Sequence, residues 1–468
     1  MLFNSLHFLL FFPIVCIVYF VLPSLKARNL FLLAASYYFY MNWEPVYALL
    51  LLTSTAITYL AALGIGHYAE KKKKRLCLTA SLVLNLGILF FFKYYNFAAD
   101  SISALLSQLG VDMNVPNLDV LLPVGISFYI FQALGYSIDV YRGNTPVERN
   151  FFTYALFVSF FPQLVAGPIE RSTNLLPQFK HKHAFSYDNV MTGIRFMVWG
   201  YFLKLVLADR CAMYVDAVFN NVQHHNGGSF LLASLFFPFQ IYGDFAGYSM
   251  IAIGAAKIMG FQLMENFRRP YFSTTVTEFW RRWHISLSTW FRDYLYFPMG
   301  GSRVSKVRTL FNVMVTFIVS GVWHGANWTF ILWGTIHGVL QCVERLMGWN
   351  KAHWKGVPKF LHWALTFCIV CLAWTFFRAN NIFDAFTIIN GIFTDFGKPY
   401  MPQRYIFAII GFALTVTFVK ETKDKYRLNI HISDSSDWLL KHLYIVTMIV
   451  IIILMGALNG GQFIYFQF

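Results

Sequence analysis

Charge is what this chain has least of. Only 13% of its 468 residues are Asp, Glu, Lys or Arg, where a soluble domain carries about 25%. That is too little polar surface to coat a water-soluble globule. Cysteine is scarce as well, at six. Cys368 and Cys371 form a CxxC, but no second pair accompanies them to complete a zinc site, so they read as small buried hydrophobes and no metal is expected. There is no internal repeat and no low-complexity linker, which leaves one domain over 1–468 with a short aromatic tail at 459–468. The first apolar stretch, Leu6–Leu22, lacks a basic segment before it and a small-residue cleavage site after it. It reads as a first membrane segment, not a signal peptide.

What the chain has instead is apolar surface: 57% hydrophobic and 19% aromatic residues. Stretches long enough to enter a bilayer recur from Leu6–Leu22 through Gly193–Phe219, Ser229–Tyr242, Tyr248–Phe261 and Leu310–Trp323 to Leu443–Leu458. The net charge of +15 is carried in short runs between these stretches, such as Lys71–Arg75 and Lys420–Arg427. Membrane proteins place their cytoplasmic loops in this way, so the lipid bilayer is the expected partner and nucleic acid is not. The expected fold is an all-α polytopic membrane protein with about eleven crossings plus re-entrant and interfacial helices. Charge also sets orientation: Lys420–Arg427 falls on the cytoplasmic side, and the last helix runs outward to leave Asn459–Phe468 at the outer face.

Ionisable or helix-breaking residues inside such stretches are costly, and four places show them. In Phe160–Arg171 (FFPQLVAGPIER), Pro162, Gly167 and Pro168 break the backbone, either at membrane depth against protein or at an interfacial helix end. In Gln240–Gly260, Asp244 lies between Gly243 and Gly247, a GxxxG that admits a close helix neighbour. Its acid needs a partner, for which Arg281 or Arg282 is near in sequence; the pairing reads as structural. Along Thr277–Phe297, Trp280, Trp283, Leu287, Trp290, Tyr294 and Phe297 step by three and four. That is one aromatic stripe of a helix lying along the membrane interface, with His284 at its edge facing inward. Finally, Ser320–Gly325 (SGVWHG) sets His324, with Trp323 beside it, between Gly321 and Gly325. A neutral imidazole in such a site suits a general base near pH 7, or a hydrogen-bonded core histidine. His337 should point elsewhere and serve packing.

The runs ENFRRPY, EFWRRWHISLSTWFRDYLYFPMGG and SGVWHGANWTFILWGTIHG, with FFPQLVAGPIER before them, resemble the membrane-bound O-acyltransferase family. Within it they are similar to the bacterial branch that modifies cell-envelope and secreted glycans. The resemblance implies a helical fold around a central funnel in the bacterial cytoplasmic (inner) membrane, with the histidine of the WHG motif, His324, at the constriction and His284 as second histidine. It also implies an acyl group taken from a cytoplasmic thioester, here acetyl-CoA, with no tightly bound cofactor. An extracytoplasmic partner acetyltransferase would then complete O-acetylation of a polysaccharide such as alginate. Where the family has an aspartate in "GYSDMAIG", this chain has Met250. The end, Phe463-Ile-Tyr-Phe-Gln-Phe468, resembles an aromatic tail whose tyrosine carries the acyl group, which points to Tyr465; the other reading is an interfacial aromatic anchor.

The expected chemistry is acyl transfer with His324 as base, His284 orienting the site, and Tyr465 as carrier. Asp244, Trp323, Arg281 and Arg282 support it. Alternatives are O-acetylation of peptidoglycan or another envelope glycan, D-alanylation, and direct acylation of a lipid or protein. A transporter of a lipid-linked glycan is the reading from a different class, although the paired repeats common in transporters are not visible.

Overall fold

The computed structural model describes residues 1–111, 115–165, 167–352, 354–426, 438–458 and 463–464. Every regular element among them is a helix, as the all-α expectation requires. In hydrocarbon only a helix satisfies its own backbone polar groups within one segment. Eight helices among the described residues are long and apolar enough to cross a bilayer, and Leu6–Val21 and Ile382–Thr394 are shorter apolar ones. The expectation of about eleven crossings, which rests as much on the family resemblance as on counting, stands beside these eight long helices. The sequence reading divides Ser229–Tyr242 from Tyr248–Phe261, whereas Gly227–Ile258 is one helix running through Gly243 and Gly247. Those glycines lie against neighbouring backbone and do not interrupt the helix.

The chain forms two compact units, residues 1–193 with 255–264, and residues 194–254 with 265–468. In the first, the helix Phe151–Ser159 stops at Phe160 and a single turn, Phe161–Leu164, follows. The break expected around Pro162 is therefore present, and it is buried: Phe160 and Phe161 are fully inaccessible. Its freed polar groups are met by side chains. The Phe157 carbonyl accepts from Gln132 Nε2 at 2.6 Å and Gln163 Nε2 at 2.8 Å, and the Phe161 amide donates to Ser36 Oγ at 3.1 Å. Unpaired backbone groups at such a site would cost several kcal/mol each, so these amides and hydroxyl are what make the break tolerable. Just beyond it Glu170 is buried and accepts from the Met264 amide at 2.5 Å and Asn174 Nδ2 at 2.8 Å. Burial outweighs those bonds and raises its carboxyl to about 7.

The second unit is organised by close helix contacts at glycine. A Cβ on Gly247 would stand 2.7 Å from the Gly200 carbonyl oxygen and 3.1 Å from the Lys204 amide. One on Gly243 would stand 2.8 Å from the Leu203 carbonyl oxygen. The helix facing them widens to i→i+5 hydrogen bonding over Phe202–Ala208, a π-turn of the kind that recurs at functional sites. Gly247→Val should therefore force these backbones apart, costing about 1–3 kcal/mol as overpacking does. A thermal-unfolding scan of the protein in detergent is expected to show a lowered midpoint, with Gly411→Val, where a Cβ meets nothing within 4 Å, close to wild type.

Candidate active site

His324 is the last residue of the helix Lys306–His324, and Gly325 turns the chain into extended backbone. Asn327 then caps the helix Trp328–Leu346, its Oδ1 accepting from the Thr329 amide at 3.0 Å. The two helices meet at glycine, where a Cβ on Gly321 would lie 3.3 Å from the Cα of Gly334. So Gly321 provides the close approach expected of the GxxxG, while Gly325 lies beyond the helix end and packs under the Phe330 ring. This geometry delivers His324 into an aromatic box, 2% exposed. Its ring stands nearly perpendicular to Trp323, Trp333 and Phe377 at centroid distances of 5.0, 5.0 and 5.3 Å.

His284 is placed by a different device. The sequence pattern predicts one interfacial helix over Thr277–Phe297, but the structure breaks it into Val276–Arg282 and Ile285–Phe291, with His284 between them at φ +42°. Left-handed backbone costs a non-glycine residue about 1–2 kcal/mol, and Asn266 supplies the compensation. Its carbonyl accepts from the Ile285 amide at 2.9 Å, and its Oδ1 accepts from Ser286 Oγ at 2.9 Å and the Ser286 amide at 3.3 Å. The Asn266 side chain is oriented by Nδ2 donating to Ser249 Oγ at 3.2 Å. Because Oδ1 can only accept, its 3.1 Å contact assigns the proton of His284 to Nδ1 and leaves Nε2 as the basic nitrogen. His284 is fully buried, its ring edge-on to Phe245 at 4.6 Å and 5.9 Å from Trp323. Trp323 thus touches both histidines.

The remaining sequence candidates fall in separate places. Arg282 pairs with Glu278 at 2.5 Å, and Arg281 is exposed. Neither reaches Asp244 as an ion-pair partner. Asp244 instead receives Lys204 Nζ at 2.7 Å, and the same ammonium meets Asp209 at 2.9 Å. Proximity in sequence misled here because the true partner lies forty residues upstream on the glycine-contacting helix. The signal that could have found it was present, since Lys204 and Asp209 both sit inside the apolar stretch Gly193–Phe219. His337, expected to point elsewhere, accepts from Trp280 Nε1 at 3.2 Å and packs on Trp333, the same ring that packs on His324. Tyr465 lies outside the described residues; its neighbours Phe463 and Ile464 are buried.

Two cavities of this unit come near the helix end that carries His324, although His324 itself lines neither. One, of about 460 Å³, is lined by Arg281, Arg292 and Arg345 and runs along the helix to Ser320, one turn before the histidine. The other, of about 500 Å³, begins at Ala326 and Asn327 and is lined by Asn220, Asn380, Thr329 and the Arg378–Asp216 ion pair (2.7 Å). Phe377 lines this second cavity and also packs on His324.

A helical membrane protein with a buried histidine at a helix end, an arginine-lined cavity near one side of it and an amide-lined one near the other, has the parts of a group-transfer enzyme. The comparison with known proteins makes this specific. Residues 144–384 match the model of MBOAT, the membrane-bound O-acyltransferase family, and the chain belongs to that family. It is 37% identical over 492 residues to the probable alginate O-acetylase of Pseudomonas putida, covering all of both chains. It is 36% identical to the peptidoglycan O-acetyltransferase of Helicobacter pylori, over 84% of this chain and 80% of that one. Similarity to the teichoic acid D-alanyltransferase of Bacillus subtilis is 30%, over 55% and 69%. The chain is a multi-pass membrane acyltransferase.

Proposed function

We propose that the protein resides in the bacterial inner membrane and moves an acetyl group from cytoplasmic acetyl-CoA outward for O-acetylation of a polysaccharide, alginate before peptidoglycan. The observation that carries this reading is that two cavities of different chemistry approach the helix end bearing His324, one reaching Ser320 and the other Ala326 and Phe377. The run of Arg303, Lys306 and Arg308 at the start of the His324 helix faces the cytoplasm by the positive-inside rule. The arginine-rimmed cavity then opens toward the donor, where guanidinium groups suit the phosphates of coenzyme A. The amide-lined cavity opens outward, toward hydroxylated acceptors. Alginate is favoured because the similarity to the alginate relative extends over both whole chains.

In the proposed reaction the thioester carbonyl sits beside His324. The imidazole takes the proton of an acceptor hydroxyl as its oxygen attacks that carbonyl. The tetrahedral intermediate collapses, the carbon–sulfur bond breaks, and the departing thiolate takes the proton from the imidazolium. Tyr465 is the proposed first acceptor, and an extracytoplasmic partner enzyme passes the acetyl group to the polymer. Neutral His284, pinned by Asn266, orients Trp323 against the reacting ring. Protein purified in nanodiscs and given acetyl-CoA labelled in the acetyl group should release free thiol at least about tenfold faster than buffer. It should also acquire label on the chain. Absence of both would overturn the reading.

A further inference from the structure

The most expensive feature of the second unit lies outside the aromatic box. Lys204, Asp209 and Asp244 bring three ionisable side chains together, each about 95% or more inaccessible. Burying ions costs several kcal/mol apiece, and here two carboxyl groups share one ammonium. A purely structural pair would not need the second carboxylate. The arrangement makes sense when a further donor completes it, and the structure provides one: the Ile464 amide donates to Asp244 Oδ2 at 2.7 Å.

The described residues at 455–457 and 463 are held as well. The π-turn at Phe202–Ala208 frees carbonyls from the helical ladder, and the Leu205 carbonyl accepts from the Ala457 amide at 2.9 Å. Arg210 donates to the carbonyls of Met455 at 2.9 Å and Gly456 at 3.1 Å. Phe463 is fully buried, its ring 4.6 Å from Tyr248 and 5.7 Å from Phe245. Phe245 in turn stands against His284. A widened helical turn, a buried ion cluster and two aromatic rings thus hold the described residues 455–457 and 463–464, the latter beside Phe245, which packs on His284.

We propose that Lys204, Asp209 and Asp244 form an electrostatic latch that positions the final segment of the chain for acyl transfer, Asp244 holding it by the Ile464 N–H. Lys204 fixes the carboxylate of Asp244 in the acceptor geometry, and Asp209 keeps the lysine charged and in place. Release of the segment would leave a buried carboxylate oxygen without its donor, so the docked state is favoured. These are positioning residues, acting through the main chain of 463–464 and touching no substrate. Only the consequence for turnover rests on the reading of Tyr465 as carrier; the docking itself does not.

The test uses the full-length chain in nanodiscs. Asp244→Asn should raise hydrogen–deuterium exchange in the peptide containing Phe463 and Ile464 by about tenfold or more, as loss of a charge-assisted hydrogen bond implies. Ile464→Pro deletes the N–H without altering the ion cluster. It should cut kcat for acetyl transfer at least about tenfold at unchanged KM for acetyl-CoA, while Ile464→Ala, which keeps the N–H, stays within about twofold. Unchanged exchange in Asp244→Asn, or equal rates for the proline and alanine variants, would overturn the latch. If Asp244→Asn does not fold, the Ile464 pair decides alone. Failure of the acyltransfer reading itself would look different, because wild type would then show no transfer.

Discussion

His324→Gln should lower acetyl transfer by about 10²–10⁴-fold, the contribution of a positioned general base. That range equals about 2.7–5.4 kcal/mol of transition-state stabilisation. Glutamine is close to histidine in volume and keeps a polar group in the aromatic box, so Trp323, Trp333 and Phe377 retain most of their packing. KM for acetyl-CoA should change little, because the arginines that would hold the donor line a cavity one helical turn away. A control lies in the same aromatic cluster. His337 is as buried as His324 and packs on the same Trp333, yet its Nδ1 is occupied by the Trp280 indole. His337→Gln keeps an acceptor for that indole and should cost less than about tenfold in rate. Equal losses in the two variants, measured as thiol release from acetyl-CoA, would mean that the histidines serve packing alone.

The two histidines were legible in the sequence to different depths. For His324 a polar ring between two glycines in an apolar run is a weak local signal, and it is the WHG motif of the family resemblance that singles it out. Its surroundings were not legible, since Trp333 and Phe377 arrive from helices that only the fold brings near. His284 was placed on a continuous amphipathic helix, and the aromatic spacing of Trp280, Trp283, Leu287 and Trp290 fits one. That spacing survives a break, so periodicity cannot reveal it. What bends the chain is Asn266, eighteen residues upstream, whose four acceptor bonds stabilise a backbone conformation that local propensity opposes. The misassigned partner of Asp244 has the same origin. A buried acid announces its need for a cation, but which cation answers depends on which glycines let two helices touch. Gly200, Gly243 and Gly247 settle that by bringing the Lys204 backbone against the Asp244 helix.

Tyr465→Phe should abolish acetyl transfer to the extracytoplasmic acceptor while leaving the donor side intact. The change removes one oxygen and keeps the ring, so an aromatic anchor at this position would survive it. A carrier would not. At pH 7 a phenol of pKa about 10 is ionised to about one part in a thousand, so it needs a base to become a nucleophile. That requirement separates the two large predictions. His324→Gln removes the base, so neither thiol release nor label on the chain is expected. In Tyr465→Phe the base and donor cavity persist, and slow release of thiol to water should continue with no label retained. The label on wild type should be sensitive to hydroxylamine, as an aryl ester is. Should Tyr465→Phe acetylate the outer acceptor at the wild-type rate, the acetyl group must pass from the thioester straight to a hydroxyl entering through the cavity lined by Asn220, Asn327 and Asn380. Phe377, packed between that cavity and His324, would then have to move to admit it.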